Sequence, residues 1–180
     1  MQFADFADRA AEIEAEPADL ETVSLVADLF TESDEELPVV ARFLQGRVFP
    51  GWDARTLDIG PRLCYQALAK AAGTNVTADD VEERLADEGE IGAVAAGLDL
   101  GGQQGLGAFT AGGGDDGPTL AAVDEALREV AAAAGAGSED AKLAALFGLF
   151  SRVSSDEARY LARLVLGEMR IGVGEGTVRD

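Results

Sequence analysis

The sequence predicts an all-α domain, a compact bundle of about ten short helices. Apolar residues recur at helical spacing along most of the chain, and capping residues precede several of these stretches. No stretch alternates apolar and polar residues, and no hairpin signal is present. With 180 residues, of which 47% are hydrophobic, the chain can enclose one sizeable core.

Proline, glycine and capping residues divide the first half of the chain into six predicted helices. They are expected at residues 2–15, 19–32, 34–45, 59–72, 77–87 and 90–98. Pro17 interrupts the pattern after the first helix, and Thr77 is the N-cap of the fifth. Residues 46–58 form a turn-rich connection, and we expect Phe49 and Trp52 to pin it to the core.

The second half begins with a glycine-rich stretch, residues 101–117, which predicts a flexible loop. The loop contains no Lys or Arg and ends with two aspartates, so a phosphate-binding loop is disfavoured. Thr119 and Ser138 are predicted to cap the next two helices.

The last predicted complete helix has the clearest boundaries. Ser154 and Glu157 have capping-box spacing at its start, and Gly167 stands where a left-handed C-terminal cap is expected. One more helix begins close to Asp180. We therefore expect a single helical domain over residues 1–180, truncated at its C-terminal end.

The composition is strongly acidic, with 34 Asp and Glu, 14 Lys and Arg and a net charge of −20. Twelve of the 14 cations are arginine. This bias suggests a protein adapted to very high salt, where self-repulsion is screened within about 3 Å at 1 M. An acidic domain that binds a basic partner is the ordinary alternative. Residues 137–180 carry a net charge of only −1, which favours that part for an anionic partner.

Several residue types needed for catalysis are scarce or absent. The sequence has no His, and neither Lys70 nor Lys142 lies in a K-x-D-G motif. The single Cys64 is predicted to be a small core residue. We predict no catalytic residue, metal site or cofactor in this chain, and a stand-alone enzyme is the weakest hypothesis. No apolar run approaches the ~18 residues of a membrane span, and a cytoplasmic location is the default.

A candidate anion site lies in the run GEMRIGVGEG, residues 167–176, just before the last helix begins. The candidate residues are Gly167, Arg170, Gly172 and Gly174. Glycine lets backbone N–H groups approach a ligand closely, and a helix N-terminus favours a phosphate. A plain helix–helix turn with a solvated arginine is the alternative.

Three stretches carry a resemblance to a known family: LVADLF at 25–30, FPGWD at 49–53, and EARYLAR through GEMRIGVGEG at 157–176. They resemble the N-terminal DNA-binding domain of archaeal and eukaryotic-type ATP-dependent DNA ligases. The resemblance covers nearly the whole chain, follows the order of the family, and is most specific at the last stretch. The acidic bias resembles a haloarchaeal version.

The resemblance implies a helical domain that encircles nicked double-stranded DNA together with the adenylation and OB-fold domains, for strand joining in replication, repair and recombination. Gly167, Arg170 and Gly172 match the family's contact motif for the DNA backbone. Further contacts are expected at Gly137, Ser138 and Lys142, and at Gly92.

The full-length enzyme would use ATP and Mg²⁺. Its catalytic lysine, metal-binding carboxylates and OB-fold are expected beyond residue 180, so this chain should not seal nicks alone. The competing hypothesis is an acidic helical scaffold for protein interactions, without nucleic-acid binding.

The glycine-rich loop also contains Gln103, Leu106 and Phe109 in the pattern Q-x-x-L-x-x-F. This resembles the interaction box for the sliding clamp (PCNA). A 3₁₀ turn would bring Leu106 and Phe109 onto one side, where they could form an apolar plug. The alternative is a linker in which these residues occur by chance.

Overall fold

The computed structural model describes residues 1–100 and 117–179, and the all-α prediction is confirmed over these ranges. They contain ten α-helices, a 3₁₀ helix at Asp34–Glu36 and no β-strand. The helices are α1 (Phe3–Ala15), α2 (Asp19–Ser33), α3 (Leu37–Leu44), α4 (Pro61–Ala72), α5 (Ala78–Glu88), α6 (Ile91–Ala96), α7 (Leu120–Ala132), α8 (Ser138–Phe150), α9 (Ser155–Leu166) and α10 (Glu175–Arg179).

The caps account for most of these boundaries. Ser154 Oγ accepts a hydrogen bond from the amide of Glu157, and the Glu157 carboxylate accepts one from the amide of Ser154, which confirms the capping box. The prediction that Ser138 is an N-cap is wrong by one residue. Gly137, at φ +80°, is the N-cap of α8, and the amide of Ser138 donates to the carbonyl of Gly135. The left-handed backbone at Gly137 makes the turn that the Ser138 side chain was expected to stabilise.

The buried faces of the helices meet in one continuous apolar core. Phe3 stacks on Phe6 at 5.8 Å between ring centroids, and Phe6 meets Phe43 edge-on at 5.9 Å. Cys64 is fully buried in this core, as predicted, and burial raises the pKa of its thiol to about 12. None of the helices in the described part of the chain combines the length and apolar character that crossing a membrane would require.

Helix α9 lies at the centre, packed against α1, α4 and α6. Its Arg163 is buried and is held by two carboxylates from other helices. Nη1 and Nη2 lie 2.8 and 2.9 Å from the Glu14 oxygens, while Nε and Nη2 lie 2.8 and 3.0 Å from those of Glu90. The Tyr160 hydroxyl also donates to Glu14, at 2.8 Å. One guanidinium therefore joins α9 to α1 and to the start of α6.

The electrostatics of this cluster keep all three groups charged. Hydrogen bonds from Arg163 lower the pKa of Glu14. Burial raises the pKa of Glu90, but Arg163 and the Gly92 amide outweigh that effect and lower it overall. Burial likewise lowers the pKa of Arg163, and the two glutamates more than reverse this.

The connection between α3 and α4 is only partly as predicted. Phe49 is buried against the core, and the guanidinium carbons of Arg55 and Arg128 lie 4.6 and 5.4 Å from its ring centroid. Trp52, in contrast, is 90% exposed, so the prediction that it pins the loop is wrong. The amide of Asp53 donates to the carbonyl of Pro50 at 2.9 Å, and this tight turn places the indole at the tip of the loop.

Replacing Arg163 with Met should destabilise the fold by about 3 kcal/mol, because the partly buried carboxylates of Glu14 and Glu90, 32% and 19% exposed, would lose their partner. The melting temperature in molar KCl, followed by circular dichroism, should fall by roughly 6–12 °C for a chain of this size. Arg84→Met, on the exposed side of α5, is the matched control and should leave the melting temperature nearly unchanged.

Acid should remove the stabilisation that the Arg163 cluster gives to the fold. The folded-state pKa values of Glu14 and Glu90 are lowered, so their stabilisation is present above the ordinary glutamate pKa of about 4.3 and is lost as pH falls through the folded values. The stability difference between the native chain and Arg163→Met should therefore shrink from pH 7 to pH 3. An equal difference at both pH values would contradict this assignment.

Candidate nucleic-acid interface

The predicted anion site follows directly from the end of α9. Gly167 has φ +69°, and its amide donates to the carbonyl of Leu164, which confirms the predicted left-handed cap. The chain then runs outward with alternating burial. Met169 and Ile171 are buried in the core, while the side chain of Arg170 between them is 58% exposed. Two apolar anchors thus hold one cation out towards solvent.

Arg170 has an unusual backbone for its residue type. Its φ is +52°, in the left-handed region where glycine and asparagine are common and longer side chains are rare. This conformation costs on the order of 1 kcal/mol. The buried side chains on either side impose it, since relaxing Arg170 would pull Met169 or Ile171 out of the core. Strain of this kind is concentrated at binding sites, so it marks Arg170 as a functional candidate.

Among the described residues, the guanidinium of Arg170 pairs with the carboxylate of Glu168, with Nη2 and Oε2 3.1 Å apart. Both side chains are about half exposed. Exposed pairs of this kind contribute between 0 and about 1 kcal/mol. A phosphate could therefore replace Glu168 at low cost and bind the planar fork with two hydrogen bonds.

Residues 167–174 line a shallow depression of about 470 Å³ together with Leu44 and Gln45. Gly172 has φ +77° and is exposed, and Gly174 is exposed as the residue before α10. Neither would bring a Cβ into contact with another residue, so their backbone is open to a ligand. Helix α10 has only five residues, and we assign no anion site to its N-terminus.

A second depression, of about 650 Å³, adjoins the first and is lined by residues 46–51, 53 and 55–60 and by the end of α9. The two segments touch at Gly46, where a Cβ would lie 3.3 Å from the Met169 Cβ and 3.4 Å from the Gly167 carbonyl carbon. We call residues 46–60 and 167–174 the two-loop face. Its charged residues are three cations and three carboxylates: Arg47, Arg55, Arg170, Asp53, Asp58 and Glu168. The face has no net charge in a chain of net charge −20.

The predicted contact at Gly137, Ser138 and Lys142 is changed by the structure. Gly137 and the first turn of α8 lie at the surface, but Lys142 is 5% exposed. Its ammonium donates to the carbonyls of Leu57 and Asp58 at 3.2 and 2.8 Å. The prediction that Lys142 presents a cation to a ligand is therefore wrong. It satisfies buried acceptors and fixes the end of the 46–60 segment to α8.

Gly92 also has a structural task in place of the predicted ligand contact. It is buried, and its amide and that of Ala93 donate to the carboxylate of Glu90, the N-cap of α6. A Cβ at Gly92 would lie 2.6 Å from Glu90 Oε1 and 2.7 Å from Arg163 Nε. Its backbone N–H is unavailable to a phosphate, and glycine is needed there to admit the Arg163 cluster.

The predicted sliding-clamp box, Gln103, Leu106 and Phe109, lies outside the described residues. Within residues 1–100 and 117–179, no three His, Cys, Asp or Glu side chains are grouped so that they could hold a metal ion. Sequence reasoning assigned no role in binding to Arg47 and Arg55. The signal available for them was the clustering of cations around Trp52 in the run RVFPGWDAR.

Comparison with known proteins shows which family this chain matches. A family profile described as DNA ligase N terminus matches residues 2–180. Over the whole chain, the sequence is 69% identical to a DNA ligase of Haloferax volcanii and 67% identical to one of Haloarcula marismortui. A DNA ligase of Methanosphaerula palustris is 43% identical over the same extent. The chain spans about a third of the length of these relatives, 31% to 33%. By this match over nearly all of its length, the chain belongs to the family of DNA ligase N-terminal domains.

Proposed function

We propose that this chain is the DNA-binding part of an ATP-dependent DNA ligase, and that it holds nicked duplex DNA through backbone phosphates. The observation that carries the proposal is the exposed Arg170, held in a strained conformation between two buried anchors on a face without net charge. The joined strands would serve replication, repair and recombination.

The chemistry of the site suits a backbone contact. The guanidinium fork matches two phosphate oxygens, and the exposed Gly172 and Gly174 leave room for a sugar–phosphate chain to approach. Phosphate contacts position a duplex without reading its bases, so binding should be indifferent to sequence. We keep Gly167 as part of the site because its left-handed cap directs the chain towards Arg170.

The acidic surface determines how this binding works. Counterion release from DNA contributes less as salt rises, and a net charge of −20 repels the duplex when salt is low. Direct hydrogen bonds and shape fit on the neutral face must therefore supply most of the affinity in concentrated salt. The first turn of α8, at Gly137 and Ser138, remains a proposed secondary contact through its exposed backbone.

Catalysis belongs to other parts of the longer ligase in this proposal. The adenylation and OB-fold domains would supply the K-x-D-G lysine, ATP and Mg²⁺, while this chain positions the nick. Binding of the sliding clamp through Gln103, Leu106 and Phe109 stays a prediction. The family match favours this function over an acidic protein-interaction scaffold.

Replacing Arg170 with Ala should weaken binding to nicked duplex about tenfold, because a charge-assisted phosphate contact is lost. Fluorescence anisotropy of a labelled nicked duplex, titrated between 0.5 and 2 M KCl, measures the effect. The slope of log affinity against log salt should also fall by about one. Arg84→Ala makes the same charge change on α5 and should change neither the affinity nor the salt slope.

Equal affinity of Arg170→Ala and the native chain would remove Arg170 from the interface. Absence of binding to nicked DNA at every salt concentration, together with capture of protein partners, would favour the scaffold instead.

Arg170→Gly separates strain from function. Glycine adopts φ +52° without the left-handed penalty, although it also raises the entropy of the unfolded chain by a similar amount. The melting temperature should therefore stay within a few degrees of the native value while DNA affinity falls as in Arg170→Ala. A large loss of thermal stability would mean that the Arg170 side chain supports the fold.

A further inference from the structure

Trp52 is the only tryptophan in the chain, and it lies at the tip of the turn between Pro50 and Asp53. With 90% of its surface exposed, it is the most exposed large apolar side chain in the described residues. Burying a tryptophan removes more apolar surface from water than burying most other side chains, and its ring can stack on flat partners. The proposed DNA contact at Arg170 does not explain why Trp52 is exposed.

The loop that carries Trp52 is held firmly at its base. Arg42 donates to the carbonyl of Val48 and pairs with both carboxylate oxygens of Asp124, at 3.0 and 3.1 Å. Phe49 lies in the core, and Lys142 fixes the far end of the segment. The backbone that carries the indole is thus held in place, and little backbone entropy would be lost on binding.

Two cations flank Trp52 in the sequence, Arg47 five residues before it and Arg55 three residues after it. The guanidinium of Arg47 lies against Gly51, whose Cβ would be 2.9 Å from Nη1, and among the described residues it makes no ion pair. Arg55 is 2.6 Å from Asp53 through Nη2 and lowers the pKa of that carboxyl to about 2. Asp53 therefore stays ionised and holds Arg55 in place, while Nη1 of Arg55 makes no hydrogen bond to any of the described residues.

This loop adjoins the Arg170 turn through the close contact of Gly46 with Gly167 and Met169. An object as large as a DNA duplex that contacts Arg170 would extend over the neighbouring loop. Neither segment carries a net charge, so a polyanion meets less repulsion here than the net charge of −20 on the whole chain would cause.

We propose that residues 47–55 are a second contact with the nicked duplex, resting on the function proposed above. Arg47 and Arg55 bind phosphates, and the Trp52 indole packs on the sugars and base edges in the groove between them. Apolar side chains placed in this way are a known means of holding a groove. A contact with another domain of the longer ligase would also cover an indole, but the two flanking cations favour DNA.

The single tryptophan allows a direct test with the 180-residue chain in molar KCl. A labelled nicked duplex reports binding by anisotropy, while the intrinsic emission of Trp52 reports whether the loop is contacted. We expect the emission to change in intensity along the same binding curve as the anisotropy. Trp52→Ala should weaken binding about tenfold, because the apolar contact of the indole with the groove is lost, while Trp52→Phe keeps an aromatic ring and should retain most of the affinity.

Leu20→Ala is the matched control, since Leu20 is 84% exposed on α2, which lines neither depression, and should bind as the native chain does. Thermal melts should be unchanged in all variants, because neither side chain is packed in the core. Arg47→Ala should weaken binding and lower the salt slope by about one.

Three failing outcomes can be told apart. If anisotropy reports binding while the emission stays constant and Trp52→Ala binds normally, the second contact is overturned and the proposed function stands. If no nicked duplex binds, the proposed function itself fails. An emission change produced by the remaining domains of a related ligase, but not by DNA, would assign Trp52 to a domain contact and overturn the inference.

Discussion

The ion cluster around Arg163 is the interaction on which the rest of the structure depends. It joins α9 to α1 through Glu14 and to α6 through Glu90, and it therefore fixes where the end of α9 emerges. The strained turn at Arg170 begins only four residues after that helix ends. Replacing a buried ion pair with apolar residues can be neutral or stabilising, so its value here is in defining one geometry. Glu90 serves two purposes, because the same carboxylate caps α6.

Six of the 14 cations of this chain fall into two groups with different roles. Arg42, Lys142 and Arg163 are largely buried and tie distant segments together by binding carboxylates or carbonyls. Arg47, Arg55 and Arg170 lie on the two-loop face, where the carboxylates are equal in number. The excess negative charge is thus carried by other parts of the surface. An acidic protein can in this way keep one face compatible with a polyanion without becoming basic overall.

The helices could be predicted because their signals are local. Periodic apolar residues, the capping box at Ser154 and the glycine at 167 act within one or two turns, and the structure confirms them. The incorrect predictions concern residues whose environment is determined by a distant segment of the chain. Lys142 is buried because Leu57 and Asp58 need donors, and Gly92 is glycine because Arg163 occupies the space beside it. Trp52 is exposed because the turn from Pro50 to Asp53 places it at the tip of the loop, while Phe49 packs into the core. Flanking glycines indicated the site at Arg170, but nothing local in the sequence indicated its positive φ.

The alternation of buried and exposed residues after Gly167 has a consequence for how such a domain can diverge. Met169 and Ile171 hold the backbone, while positions 168 and 170 face solvent and make no contribution to the core. Selection can therefore exchange the outward residues one at a time without refolding the segment. A lineage moving to dilute surroundings could replace Glu168 with a cation and recover long-range attraction for DNA on an unchanged frame. Adaptation to salinity would then be a matter of surface substitution, separable from the evolution of the fold.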